Sequence, residues 1–321
     1  MDYYIVDSVK GGCGKTTIAM YKAIELANLN PKNKVCYLDM DILGTAVEKF
    51  LGITSNPEVG VKYFSDMFEN RESIRSEHCV RKLLFNKNDF SVNNKSDNII
   101  DPTVNIENCI EVGAVFSSPD ENKKNMFKPS ISTHYNQHID YDFFARKLEI
   151  LFDELKKGKY THMVIDMPPN SDAYTDSVFK LLLDLKKKDK VYLYLVSTYD
   201  RSHVEANLEW LDKMLKSQDI RWLNFEEIDI IFNDNRNLRR THSDELDGAI
   251  MQIMSIYDEH HFPSKAIIKK RKCDFSDTVS LRAVFDDDIS ILKSMTSATE
   301  TEDKRKRISF KEIRITDLSE G

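Results

Sequence analysis

Residues Val9–Thr17, VKGGCGKTT, constrain this chain more than any other stretch. They follow Tyr3–Ser8, a short apolar run that reads as a strand. They precede Thr17–Leu29, where Ile18, Ala19, Ala23, Leu26 and Ala27 recur at helical spacing. A strand, a glycine-rich turn and a helix in that order form a cradle for phosphate. Gly11, Gly12 and Gly14 bring backbone N–H groups up to an anion with no Cβ in the way. The helix start beyond them adds further N–H groups and the positive end of the helix dipole. In such a loop Cys13 contributes backbone, Lys15 reaches the β and γ phosphates, and the Thr16 hydroxyl, followed by Thr17, ligates Mg²⁺.

The rest of the chain supplies the setting. Val35–Leu38, Met163–Ile165, Val191–Ser197 and Glu227–Phe232 read as strands. Thr45–Leu51, Tyr141–Lys156, Ser177–Lys186 and Val204–Leu215 read as helices, the second with Phe144, Leu148, Leu151 and Leu155 on one face. Strands alternating with helices predict an α/β fold: a doubly wound, mainly parallel sheet with helices on both faces. Ligands of such sheets bind at the carboxyl ends of the strands, and the phosphate loop sits at one of those ends. The chain reads as one domain, 1–321. Residues 86–140 are rich in Asn and Asp, which favour loops. They are expected to form an inserted loop region or partner-binding segment, with a strand at Cys109–Phe116 inside it. Residues 300–321 read as a tail or edge element.

Three acidic positions fall at strand ends. Asp39 and Asp41, two apart on an extended segment, point the same way. Asp166 ends an apolar strand and is followed by Met167, Pro168 and Pro169, where the chain must turn. A carboxylate so delivered suits a magnesium-bound water. Asn233 follows the strand Glu227–Phe232, and its amide can both donate to and accept from a purine edge.

A strict phosphate-loop motif has glycine where this chain has Val9, and here a second lysine, Lys10, precedes the glycines. The run Lys10–Thr17 resembles the deviant Walker-A motif of the ParA/MinD family of P-loop ATPases. The order of the motifs, from Val9 to Asn233, also fits that family. The resemblance implies that Lys10 crosses a dimer interface to the partner's nucleotide and that Asp39 lies near the metal shell. It further implies that Asp41 positions the attacking water and Asn233 reads the base. No T-K-x-D guanine signature is present, so ATP is favoured over GTP. The expected activity is Mg²⁺-dependent ATP hydrolysis, with Lys10, Lys15 and Asp41 catalytic, in a homodimer that ATP assembles.

The family does not specify the target. A ParA-like partition or positioning ATPase would bind DNA nonspecifically, through Arg236, Arg239 and Arg240 or the cluster Lys269–Lys272. A net charge of −7 gives no overall steering toward nucleic acid, so such binding would be local. An Mrp-type iron–sulfur carrier shares the texture of the acidic motifs, but the cysteines at 13, 36, 79, 109 and 273 form no C-x-x-C pair. A MinD-like membrane switch needs a C-terminal amphipathic helix, and Arg307–Leu318 alternates rather than following helical spacing. A regulatory scaffold acting through a protein partner is the non-enzymatic alternative, and a protein activator is compatible with the switch. Scattered cysteines and the lack of a signal sequence or apolar span suggest a cytoplasmic protein.

Overall fold

The computed structural model describes residues 1–41, 47, 51, 63–66, 75–87, 105–118, 120, 141–169, 178, 181–182, 189–198, 201–216, 225–233 and 268–273. In chain order these form β1 (Asp2–Asp7), α1 (Lys15–Leu29), β2 (Val35–Asp39), α2 (Ser76–Cys79), β3 (Arg81–Asn86), a 3₁₀ turn (Ile106–Asn108) and β4 (Cys109–Val115). There follow α3 (Tyr141–Lys157), β5 (His162–Asp166), β6 (Val191–Ser197), α4 (Arg201–Lys216), β7 (Glu227–Asn233) and β8 (Ile268–Cys273).

The strands make one sheet in the order β3-β4-β2-β5-β1-β6-β7-β8. All neighbours are parallel except β3 and β4. The centre of the sheet is buried on both faces, as parallel sheets require. All five residues of β2 are buried, as are Tyr3 to Asp7 of β1. Successive side chains of β1 show which helix covers which face. Tyr3 packs its ring against Phe152 of α3 at 5.4 Å. Its neighbour Tyr4 points the other way, toward Lys22 of α1, whose Nζ lies 5.2 Å from the ring centroid. Helices therefore cover both faces.

Helix α1 buries more than the expected stripe: Ile18, Ala19, Ala23 and Leu26 are joined by Met20, Tyr21 and Ile24. The cause is its position against four strands, β1, β2, β4 and β5. Past its end, the Asn33 side chain donates to the Leu26 carbonyl at 2.7 Å, satisfying one of the acceptors that a helix terminus leaves over. In α3, Leu148, Leu151 and Leu155 are fully buried, as their spacing predicts. Each such leucine contributes about 1.5–3 kcal/mol relative to exposure.

Within the 86–140 segment, the strand expected at Cys109–Phe116 is present as β4, an internal strand between β3 and β2. Residues 88–104, 119 and 121–140 lie outside the described residues, and with them the reading of that stretch as an insertion or partner-binding segment. Two strands have no counterpart among those expected from the sequence. One is β3, and the other is β8, which contains the basic run Lys269–Lys272 and pairs with β7. Val47, Val178, Leu181 and Leu182 are helical, as expected for the helices at 45–51 and 177–186. The rest of those helices, Arg236, Arg239, Arg240 and residues 300–321 lie outside the described residues.

Candidate functional site

The sheet order places β2, β5 and β1 side by side, so three strand ends meet. In the register, Asp39 of β2 stands opposite Asp166 of β5, and Asp166 stands opposite Val6 of β1. The strand-end turns are tied together as well. Met40 donates its N–H to the Asp166 carbonyl at 3.0 Å, and Met167 donates to the Val6 carbonyl at 3.0 Å. Residues separated by well over a hundred positions in sequence are thus fixed at one edge by backbone pairing alone.

The glycine-rich loop leaves β1 at that edge. Gly12 and Gly14 hold φ of +79° and +89°, left-handed values that a side chain would strain. Gly14 is the N-cap of α1, which has no side-chain cap and no acidic residue in its first turn. The first intrahelical bond runs from Ile18 N–H to Gly14 C=O at 3.0 Å. This is the helix start an anion needs: an uncapped positive dipole end, with Lys15 in the first turn and 7% exposed. Cys13 is buried beneath the loop, with its thiol against the Lys10 carbonyl at 3.6 Å, while Lys10 itself is partly exposed. Gly11 faces Pro169, so the turn after β5 lies against the loop.

The base of the loop is held by residues that the sequence motifs do not single out. Asp7 accepts the Ser8 N–H at 2.7 Å through Oδ1. Asn207 of α4, 3% exposed, accepts the Val9 N–H at 3.0 Å and donates to the Val196 carbonyl of β6 at 2.8 Å. It therefore joins the loop to the next strand and to a helix 198 residues away. A lone amide in the amphipathic pattern of α4 is the sequence signal that could have found it.

The two facing carboxylates are held differently. Asp39, 1% exposed, accepts N–H groups from Asp41 at 3.1 Å and Ser117 at 3.2 Å, and the Ser117 hydroxyl donates to the Asp39 carbonyl at 2.9 Å. Asp166, fully buried, accepts the Tyr37 hydroxyl at 2.8 Å through Oδ2, while its Oδ1 has no hydrogen-bond partner. Burial, then the neighbouring charges of Asp166 and Asp41, pushes the Asp39 carboxyl well above the usual range. Burial raises Asp166 to about 6 against the pull of Lys15, Thr16 and Tyr37. Burial also pushes the Tyr37 phenol well up, so it remains a donor. The orphaned Oδ1 beside Lys15 and Thr16 fits a bound cation. Among the described residues no cluster of three or more His, Cys, Asp or Glu is placed to form an all-protein metal cage. Magnesium in nucleotide sites needs none, because phosphates and water complete its shell.

The structure thus brings together Gly11, Gly12, Cys13, Gly14, Lys15, Thr16, Thr17, Asp39, Asp41 and Asp166. Asn233 ends β7 on the same carboxyl edge, two strands from β1. Comparison with known proteins bears on the fold. Residues 2–77 match the family model described as ParA, the NUBPL iron-transfer P-loop NTPase. Apo McdA of Cyanothece superposes with a TM-score of 0.55 over 93% of this chain and 94% of that one, at 14% identity. The chain has the fold of the McdA and ParA structures. The ATP complex of a Cyanothece McdA variant is similar, with TM-score 0.54, 14% identity, and coverage of 95% of this chain and 99% of that one. So is pNOB8 ParA bound to nonspecific DNA, with TM-score 0.53, 13% identity, and coverage of 92% and 95%. No curated protein matches the sequence. No helix among the described residues is long and apolar enough to cross a membrane.

Proposed function

We propose that this chain is an ATP-driven molecular switch: an Mg²⁺-dependent ATPase that dimerises around ATP and acts in DNA partition or cellular positioning. The observation that carries the reading is the convergence of an uncapped glycine-loop helix start, a buried Lys15 and two facing buried carboxylates on one sheet edge. The likeness to the ATP complex of McdA and to a ParA bound to nonspecific DNA supports the choice of nucleotide and of target.

Phosphoryl transfer depends mainly on position and charge. The amides of Gly11 to Thr16 and the Lys15 ammonium would bind the triphosphate, and Asn233 would read the base. Magnesium, held by Thr16 with Asp39 and Asp166 near its water shell, would neutralise charge on the phosphates. Asp41, partly buried two residues beyond Asp39, would orient the attacking water in line. Lys10, on the exposed side of the loop, would reach the partner protomer's nucleotide, so hydrolysis would be slow in the monomer. A γ-phosphate that contacts both protomers favours the dimer because it binds that state better.

Size-exclusion light scattering of wild type and Asp41→Ala, with and without ATP and Mg²⁺ and then with nonspecific DNA, tests the reading. An ATP-dependent dimer that co-elutes with DNA is expected. A chain that stays monomeric with ATP in both forms rules the switch out. The family model's iron-transfer description favours a second reading, an iron–sulfur carrier. With no C-x-x-C in the sequence, cysteines of more than one protomer would have to meet to hold a cluster. Stoichiometric iron with visible absorbance in the purified protein would establish it.

A further inference from the structure

We infer that Tyr37 is the positioning residue that aims Asp166 at the magnesium shell, an inference that rests on the nucleotide-binding reading above. The chain presents two carboxylates in register on adjacent strands, Asp39 and Asp166, on the face that α1 covers. Main-chain N–H groups of Asp41 and Ser117 fix Asp39. Asp166 lies on β5, whose neighbours β1 and β2 already use their main-chain donors in the sheet. The contact that fixes its carboxylate from within the sheet is the Tyr37 hydroxyl, 2.8 Å from Oδ2.

The register explains why a tyrosine at this position does the task. Tyr37 pairs across the strands with Val164, and Asp166 lies two residues further along the same face. A phenol standing at 37 and leaning toward the strand end therefore reaches the carboxylate diagonally. The ring is packed in the apolar cluster with Val35, Phe85 and Val164, and tilts against Phe116 at 6.4 Å. The hydroxyl donates to the Asp166 carboxylate. With Oδ2 occupied, Oδ1 is the oxygen turned to the site, and it is the buried atom without a partner. An aliphatic residue would fill this space equally well in a buried strand. The hydroxyl is what distinguishes the position, and its bond goes to the site's carboxylate.

The test is the Mg²⁺ dependence of binding of a fluorescent ATP analogue, measured in EDTA and across a magnesium titration. Partners one step removed from a metal typically change its affinity about 10–100-fold when lost. Tyr37→Phe should raise the Mg²⁺ concentration for half-maximal tightening about tenfold, while binding in EDTA stays within about twofold of wild type. In an Asp166→Asn background the Tyr37→Phe effect on the Mg²⁺ midpoint should vanish, because the phenol acts through that carboxylate. If Tyr37→Phe does not fold, Tyr37→Met, which fills the space without a donor, should show the same change in midpoint. An unchanged Mg²⁺ midpoint with only a lowered Tm would overturn the inference and make the bond structural. A Tyr37→Phe effect that persists in Asp166→Asn would overturn it equally. Wild type that binds the analogue identically with and without Mg²⁺ would overturn the inference while leaving nucleotide binding intact. Wild type that does not bind it at all would overturn both.

Discussion

Asp166→Asn should make the nucleotide-free protein more stable at neutral pH while weakening, not abolishing, Mg²⁺-dependent nucleotide binding. The magnitude follows from where the carboxyl sits. Asp166 is fully buried, and its pKa is raised from 3.8 to about 6. The folded protein therefore holds this proton more tightly than the unfolded chain does. Below pH 3.8 both states are protonated, and the carboxyl and the amide differ little. As pH rises through 3.8 toward 6 the folded wild type must give up a proton it prefers to keep, and stability is lost. Above about pH 6 the loss is complete. A tenfold change in proton affinity is worth roughly 1.4 kcal/mol, so the whole loss is about 3 kcal/mol. The amide escapes this cost, but its NH₂ lies in a buried site and recovers less, so the net gain at about pH 7.5 should be about 1–3 kcal/mol. At about pH 4.5 the gain should shrink to about 1 kcal/mol or less. Urea unfolding of both proteins at the two pH values, without nucleotide, measures it. A variant less stable than wild type at the higher pH, or a difference that does not change with pH, would refute the buried-charge argument. Addition of Mg²⁺ and ATP should narrow or reverse the order, because wild type is stabilised more by the ligand than the variant is.

Three further outcomes are expected. Lys10→Ala should retain nucleotide binding but lose ATP-induced dimerisation, with hydrolysis falling at least about tenfold (a loss near 1.4 kcal/mol of barrier lowering), read by light scattering and phosphate release. Asn207→Ala leaves the Val9 N–H and the Val196 C=O without their shared partner. It should cost about 2 kcal/mol in urea unfolding and weaken nucleotide binding, whereas an effect on stability alone would deny Asn207 a part in shaping the loop. Gly113→Ala would set a methyl 2.7 Å from the Tyr160 hydroxyl and 2.8 Å from its ring. Overpacking against that buried ring should lower stability by about 1–2 kcal/mol in urea unfolding, after the small gain from stiffening the unfolded chain is set against it.

The central strands were legible because a parallel strand buried on both faces must be an apolar run, as VYLYLVS at Val191–Ser197 and the strand before Asp166 are. The glycine loop was legible because its chemistry is local: glycine φ values, one lysine and a helix start all fall within Val9–Thr17. Strand β3 was not, since RKLLFN opens with two cations and reads as a break rather than a strand. Its Arg81 is nevertheless buried, lying over the Tyr63 ring at 4.8 Å and the Phe116 ring at 5.5 Å, a tertiary arrangement that no local pattern announces. Strand β8 failed for a similar reason, because a run of cations suggests a solvated charge cluster before it suggests a strand. Asp39, Asp41 and Asp166 could be nominated from strand ends, but which two face each other depends on β2 and β5 being neighbours. Tyr37 and Asn207 act through contacts between residues 129 and 198 positions apart, and the sequence alone does not fix those contacts.

The facing of Asp39 and Asp166 also bears on the proposed switch. Burial raises the cost of ionising both carboxylates, and the neighbouring Asp166 adds to that of Asp39, so the empty site is the least comfortable form of the fold at neutral pH. A divalent cation bound by Asp39 and Asp166 together with nucleotide would remove that cost. Its apparent affinity should therefore rise as pH climbs through about 6, where Asp166 gives up the proton that competes with the cation. A site tuned instead for resting stability would carry one carboxylate and one amide. Keeping both acids sacrifices stability in the empty state for a larger difference between the empty and loaded states. A ligand can shift a conformational equilibrium only by such a difference.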